Sequence, residues 1–254
     1  MIFITGDTHG DWKNWFKSEC FPIGQSLNRS DYVIVCGDFG YWHDTDIERN
    51  NLDWLESQPW TTLFVDGNHS NFDRLKKLPV EEWNGGKVHK IRPHIIHLMR
   101  GQVFTIDGKK FFTFGGAQSH DIRDGILETD DPRIAEWQYN YCKMFRINHI
   151  SWWQEELPSQ KEMDDGIENL AKYDNKVDYI ITHCPPTKTL DVMNMSRGFF
   201  DKLKSDRLTD YLQEIQENIQ YKGWYCGHMH ENNRYKDNIT VLYHNIIEIG
   251  GDAQ

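Results

Sequence analysis

The chain opens with a short apolar run, Ile2 to Ile4, that stops at Gly6. Two similar runs follow, Tyr32 to Cys36 ending at Gly37 and Thr61 to Val65 ending at Gly67. Short β-rich runs separated by polar stretches predict buried strands joined by crossovers. Helical patterns fill the intervals: Asp11 to Ser18 with Asp11 as N-cap, Asp46 to Glu56, and Asn71 to Leu78, which Pro79 helps to end. The middle of the chain changes character. Val88 to Met99 holds β-like pieces around Pro93, and the runs Gln102 to Ile106 and Lys110 to Phe114 flank Asp107-Gly108, a strong hairpin signal. Residues 116 to 158, with Asp130-Asp131-Pro132 and many charges, read as a long excursion with some helix, a candidate cap. Beyond it, Ser159 and Glu162 form a capping box for a helix to about Tyr173. Val177 to Thr182 predicts a strand. Asp206 to Gln220 predicts a helix with Leu208, Leu212, Ile215 and Ile219 on one face. Trp224 to Cys226 and the Ile239 to Ile249 region predict strands again. No repeat or linker interrupts the chain, so a single α/β domain over 1–254 is expected.

Composition narrows the class. Of 254 residues 38% are apolar, and no run reaches the ~18 that a membrane span requires, so a soluble protein without membrane contact is expected. With 39 acidic and 28 basic side chains the net charge is -11, which argues against wrapping long nucleic acid. The N-terminus has no basic region before its apolar residues, and the five cysteines (Cys20, Cys36, Cys142, Cys184, Cys226) are odd in number without C-x-x-C spacing. Reduced thiols in the cytoplasm fit that usage, with Cys36 and Cys226 as core residues. The 10 Trp, 11 Tyr and 13 Phe supply core, and a few of them suit the wall of a cleft for a base or sugar ring.

Five motifs each follow a predicted strand directly: Gly6-Asp7-Thr8-His9-Gly10, Gly37-Asp38, Gly67-Asn68-His69, Thr182-His183 and Gly227-His228-Met229-His230. In open α/β sheets, sites form beyond the carboxyl ends of strands, so the five can converge on one crevice. Asp7, His9, Asp38, Asn68, His183, His228 and His230 offer imidazole and oxygen donors and no thiolate, a set suited to Mn, Fe, Co, Ni or Zn. Seven donors exceed one tetrahedral zinc site and suffice for two ions with a bridging carboxylate. In extended backbone the Asp-x-His and His-x-His pairs would each point to one side. His43, His89, His94, His97, His149 and His244 take the ordinary reading as solvated or core residues.

The ordered set resembles the calcineurin-like metallophosphoesterase superfamily, whose pattern runs GDxHG, GDxxD, GNHE, a lone His and GHxH; the match extends from Asp7 to His230. The resemblance implies a four-layer α/β/β/α sandwich with mixed sheets and two divalent metal ions (Mn, Fe, Ni or Zn, with Mn the leading candidate). It implies Asp7, His9 and His230 at the first metal, Asp38 as the bridge, and Asn68, His183 and His228 at the second. His69 resembles the catalytic histidine outside the metal shell. The implied activity is hydrolysis of small phosphate esters by water activated on the two ions, leaning to phosphodiesters or nucleotides. A phosphomonoesterase, a protein phosphatase, or a low-turnover nucleotide-binding or scaffold protein on the same fold are the alternatives. The arginine-bearing signatures of the protein serine/threonine phosphatases are missing. Tyr41 stands where the second GDxxD carboxylate orients the catalytic His in many members, leaving Asp66, Asp44 or Asp46 as substitutes, and Ser70 replaces the Glu of GNHE. Gly115-Gly116-Ala117-Gln118-Ser119 precedes His120, Asp121 and Arg123, and the expectation is that Arg123 or His120 reaches a substrate phosphate. Trp152, Trp153, Glu155 and Glu156 resemble a cap element of bacterial members.

Overall fold

Alternating side chains along the strands sort into two faces, and a computed structural model describing residues 1–195, 197–198 and 202–250 shows where each face goes. In β1 (Ile2–Thr5), Ile2 and Ile4 join one apolar cluster while Phe3 joins another. In β2 (Tyr32–Val35), Ile34 faces inward with Cys36 just beyond, and Val33 and Val35 face outward. In β3 (Thr61–Phe64), Leu63 is inward and Phe64 outward. The inward set meets Phe104, Phe111 and Ile181 of a second sheet. The outward set packs under α1 (Trp12–Trp15) and α2 (Asp46–Glu56), with Trp12, Leu52, Leu55 and Trp60 buried there.

The first sheet runs β15-β1-β2-β3-β6-β5-β4. Its strands β1, β2, β3 and β6 (Ile95–Leu98) are parallel, while β5 (Gly86–Arg92), β4 (Val80–Trp83) and β15 (Ile247–Glu248) pair antiparallel. The second sheet runs β13-β14-β12-β11-β8-β7. Within it β8 (Lys109–Phe114), β11 (Tyr179–Thr182), β12 (Gly223–Cys226) and β14 (Ile239–Val241) are parallel, edged antiparallel by β7 (Gln102–Ile106) and β13 (Asn233–Arg234). Phe112, Ile180 and Trp224 leave its outer face and pack on α5 (Gln160–Ala171), α6 (Thr187–Asn194) and α7 (Arg207–Asn218) through Met163, Leu190, Leu208, Leu212 and Ile215. Three apolar layers between helices, sheet, sheet and helices make the expected α/β/β/α sandwich with mixed sheets. No helix among the described residues is long and apolar enough to cross a membrane.

Local signals explain most element ends. Ser159 and Glu162 form the capping box of α5, and Asp206 with Thr209 forms one on α7. Asp107 and Gly108, at φ 48° and 72°, turn the β7–β8 hairpin. Other expectations change. The first helix keeps only four residues, because Asp11 accepts from the Asn14 side chain instead of capping backbone N–H groups. The third helix shrinks to α3 (Phe72–Leu75), capped by Asn71, and ends in i→i+3 turns at Lys77 and Leu78. The Ile239 to Ile249 region is two strands in different sheets, since the chain crosses from β14 back to β1. β4 and α6 had no clear sequence signal. The 116–158 excursion carries β9 (Gly125–Leu127), α4 (Ile134–Trp137) and β10 (Phe145–Ile147), with β9 and β10 paired in parallel.

Candidate metal centre

Each motif leaves its strand at the same edge of the sandwich. Asp7 follows β1, Asp38 follows β2, Asn68 and His69 follow β3, His183 follows β11, and His228 follows β12. A glycine stands directly ahead of Asp7, Asp38, Asn68 and His228, and at Gly37 and Gly227 the closeness of the interlocking loops requires it. A Cβ on Gly227 would lie 1.9 Å from Asp7 Oδ1, and one on Gly37 would lie 2.1 Å from His183 Nδ1 at a φ of 98°. Only glycine admits both contacts.

Two groups of donors result, and Asp7 belongs to both: Asp7, His9 and His230, and Asp7, Asp38 and His183. In the second, His183 Nε2 lies 3.4 Å from Asp38 Oδ2 and 3.2 Å from Asn68 Oδ1. His183 Nδ1 is 2.8 Å from the Cys36 carbonyl, which can only accept, so Nδ1 carries hydrogen and Nε2 faces the two oxygens. In the first, His9 Nε2 and His230 Nε2 are 3.0 Å apart, and His230 Nε2 is 3.2 Å from Asp7 Oδ2. Lone pairs gathered in this way need a cation. None of these donors is within ion-pair distance of a lysine or arginine among the described residues. Protons fill the gap instead. Burial pulls His183 down, but the Asp38 and Asp7 carboxylates outweigh it and lift it to about 9. Burial pushes Asp38 up, and His183 beside it wins and holds the carboxyl far below its usual range. The donor chemistry therefore fits divalent ions.

Second partners fix the ligands. The His228 N–H reaches both Asp7 oxygens, at 3.0 and 2.9 Å. Asn68 Nδ2 donates to Ser119 Oγ (3.3 Å), and Ser119 in turn donates to the buried Glu156 carboxylate (2.6 Å). That chain turns the Asn68 oxygen toward His183. Ser119 lies in the Gly115–Ser119 segment, so the segment serves the ligand shell, a role its sequence did not disclose. Ser70 Oγ accepts the Gly67 N–H at 2.9 Å and closes the loop that carries Asn68 and His69.

The extended-backbone expectation for the paired motifs does not hold. His9, Asp38, His228 and His230 have φ of 46°, 41°, 65° and 50°, left-handed turns that non-glycine residues adopt at a cost. The turns divide the His-x-His pair. His230 enters the first group, while the His228 ring packs 4.9 Å from the His183 ring.

His69 sits above this floor, its N–H donating to Asp38 Oδ1 at 2.9 Å and its carbonyl accepting from the Trp42 indole. None of Asp66, Asp44 or Asp46 orients it: Asp66 pairs with Arg100 and His97, Asp44 with Arg49 and Arg74, and Asp46 with Arg49. Tyr41 lies under Arg74, with Cζ 3.7 Å from the ring centre. The group beside His69 is Arg146 of β10, whose two terminal nitrogens lie 3.5 Å from the two ring nitrogens and which is held by Asp121 at 2.9 and 2.5 Å. Burial lowers the His69 pKa; Asp38 opposes this and Arg146 adds to it. Arg123, expected at the site, is exposed and pairs with Asp124 and the Cys142 carbonyl. The excursion turns that side chain outward and brings Arg146 in. A single Arg between the apolar Phe145 and Ile147 was the available signal. His120 does reach the site, its ring 4.7 Å from that of His228.

The model of the calcineurin-like phosphoesterase family matches residues 1–232. A lariat debranching enzyme from Drosophila pseudoobscura pseudoobscura is 20% identical over 256 residues, 90% of this chain and 42% of that protein. Human (Homo sapiens) synaptojanin-2 is 24% identical over 174 residues, 68% of this chain and 9% of its own length. The chain thus spans less than half of these curated relatives. The crystal structure of phosphopantetheinyl hydrolase from Mycobacterium tuberculosis aligns with a TM-score of 0.46 at 15% identity, over 95% of this chain and 87% of that one. The match over residues 1–232 places the chain in the calcineurin-like phosphoesterase family, a family that implies a dinuclear divalent metal site.

Proposed function

We propose that the protein hydrolyses small phosphate esters, with phosphodiesters or nucleotides as its substrates and Mn²⁺ as its leading metal. The single observation that carries this reading is the pair of donor groups sharing Asp7, with no lysine or arginine at ion-pair distance among the described residues. In this reading, carried over from the family pattern, Asp7, His9 and His230 would hold one ion, Asn68, His183 and His228 the other, with Asp38 between them, while Asp7 is the residue common to both donor groups. Two ions bound there would polarise the phosphoryl oxygens and lower the pKa of water. The chain supplies the rest. His69 faces the leaving oxygen. Burial and Arg146 keep its ring neutral, so it acts by donating an N–H hydrogen bond to charge developing on that oxygen. Arg146, braced by Asp121, is positioned to meet a phosphoryl oxygen. His120 lines the same side.

The test is hydrolysis of bis-p-nitrophenyl phosphate against p-nitrophenyl phosphate with Mn²⁺, Ni²⁺ and Zn²⁺, beside His69→Ala. The expected result is a metal-dependent preference for the diester that falls ~10²–10⁴-fold in the variant. Turnover that survives chelation, or a clear preference for the monoester, would overturn the reading.

A further inference from the structure

We propose that the hollow beside His9, between the loop carrying Trp42 and His43 and the first turns of α2, binds the nucleobase of a nucleotide substrate. The inference rests on the small phosphate-ester reading and names which esters the site prefers. The hollow has a volume of about 170 Å³ and is lined by His9, Trp42, His43, Ile47, Glu48 and Asn51, among others. It shares His9 with the first donor group, so an ester whose phosphate is seated there has one arm within reach of the hollow. The space is large enough for a ring system.

Charge decides what kind of group can enter. Among the described residues, no lysine or arginine lines the hollow. Its one carboxylate, Glu48, is already engaged by Arg74 and by the Trp42 and His43 N–H groups. A second phosphate would find no cation there, so the occupant is a neutral group.

Shape and hydrogen bonding then select the class. Trp42 is held on three sides: its indole donates to the His69 carbonyl, its N–H reaches Glu48 at 2.7 Å, and its carbonyl accepts from Asn71 at 2.7 Å. The nearby rings of His9, His43 and His69 meet it at interplanar angles of 47°, 55° and 60°, and none stacks on it. A fixed, half-buried indole on which none of these rings stacks is a stacking platform for a planar ring. Ile47 is 74% exposed at the rim and adds apolar contact. Asn51 and His43 line the hollow, and the Asn51 amide and the His43 ring make no hydrogen bond among the described residues. An amide offers a donor and an acceptor side by side, the pairing that reads the edge of a base. A planar, neutral group with a donor–acceptor edge is a nucleobase; a phenyl ring would leave Asn51 unused.

The experiment compares thymidine 5′-(p-nitrophenyl) phosphate with methyl p-nitrophenyl phosphate in Mn²⁺, reading the common p-nitrophenolate. Wild type should favour the nucleoside ester in kcat/KM by roughly 5–100-fold, the size of one stacked base. Asn51→Ala and Trp42→Leu should shrink that ratio about tenfold, through KM, with Trp42→Phe recovering most of it. Because Asn51 lies on the surface of α2, its variant should fold normally. Equilibrium dialysis with thymidine 5′-monophosphate gives a readout without turnover, and binding should weaken about tenfold in Asn51→Ala. Hydrolysis of both esters at equal kcat/KM would overturn the base site while leaving the phosphoesterase reading intact. Nucleotide binding sensitive to Asn51→Ala, without turnover of either ester, would support the base site and overturn the hydrolytic reading. Neither turnover nor binding would overturn both.

Discussion

Two buried carboxylate–imidazole clusters, one around Asp66 just beyond β3 and one around Asp7 and Asp38 just beyond β1 and β2, differ in one respect. Around Asp66, the Arg100 guanidinium supplies the cation, with Nε 2.9 Å from Oδ2, while His97 Nε2 sits 3.2 Å from Oδ1 and stacks on His89. Around Asp38 and Asp7 there are imidazoles and backbone N–H groups, and no arginine at ion-pair distance among the described residues. Burial of an acid beside a histidine therefore does not mark a metal site. A carboxylate whose charge is already balanced by a buried arginine is architecture. Here Arg100 also holds the Glu155 carbonyl at 2.8 Å, tying the 116–158 excursion to the sheet edge. A carboxylate with only imidazoles and an amide around it leaves a positive charge to be supplied.

The largest expected effect is on the side without a cation. Asp38→Asn should reduce activity by more than the ~10²–10⁴-fold expected of His69→Ala, because it removes an anionic ligand from the set and weakens the charge-assisted hydrogen bond from the His69 N–H. Bound metal per chain, measured by mass spectrometry of the purified protein, should fall with it. Next comes the other cluster. Arg100→Met removes the guanidinium from buried Asp66 and leaves only His97 beside it, and urea unfolding should show a loss of about 3–5 kcal/mol. Metal content should stay at the wild-type level. If Arg100→Met emptied the site as Asp38→Asn does, the distinction between the clusters would break.

A smaller effect tests the link between excursion and ligands. Ser119→Ala should weaken metal binding by about 10–100-fold in calorimetric titration, since Asn68 loses the partner that orients its amide. The smallest is a pH effect. Burial, with His97 adding to it, lowers His89 to about 4. Between about pH 4 and 6.5 the unfolded chain binds a proton there that the folded chain does not, so this residue makes stability fall as pH drops through that window. Measuring unfolding midpoints across it should show a shallower acid limb for His89→Gln, with activity at neutral pH unaffected.

The sequence exposed what is repeated and local. The alternation of Ile2, Phe3 and Ile4, the Asp107-Gly108 turn and the Ser159 cap are short-range statements, and the structure keeps all three. The ligand motifs were legible because each sits directly after a strand, and parallel strands bring such positions to one edge. What stayed hidden depends on tertiary placement. Arg123 and Arg146 are equally basic in sequence, and only the path of the excursion turns one outward and the other toward His69. The left-handed turns at His9 and His228 carry no glycine to announce them. Asp66 was a fair candidate to orient His69 until Arg100, 34 residues away, was seen to occupy it.

The most direct test is the metal stoichiometry of the chelator-stripped chain, titrated with Mn²⁺ and followed by calorimetry. Wild type should take up two ions per chain, His183→Ala should lose the tighter of the two, and His97→Gln should keep both. No uptake by wild type, or two ions retained by both His183→Ala and Asp38→Asn, would contradict the claim that the imidazole-ringed cluster is where the missing charge belongs.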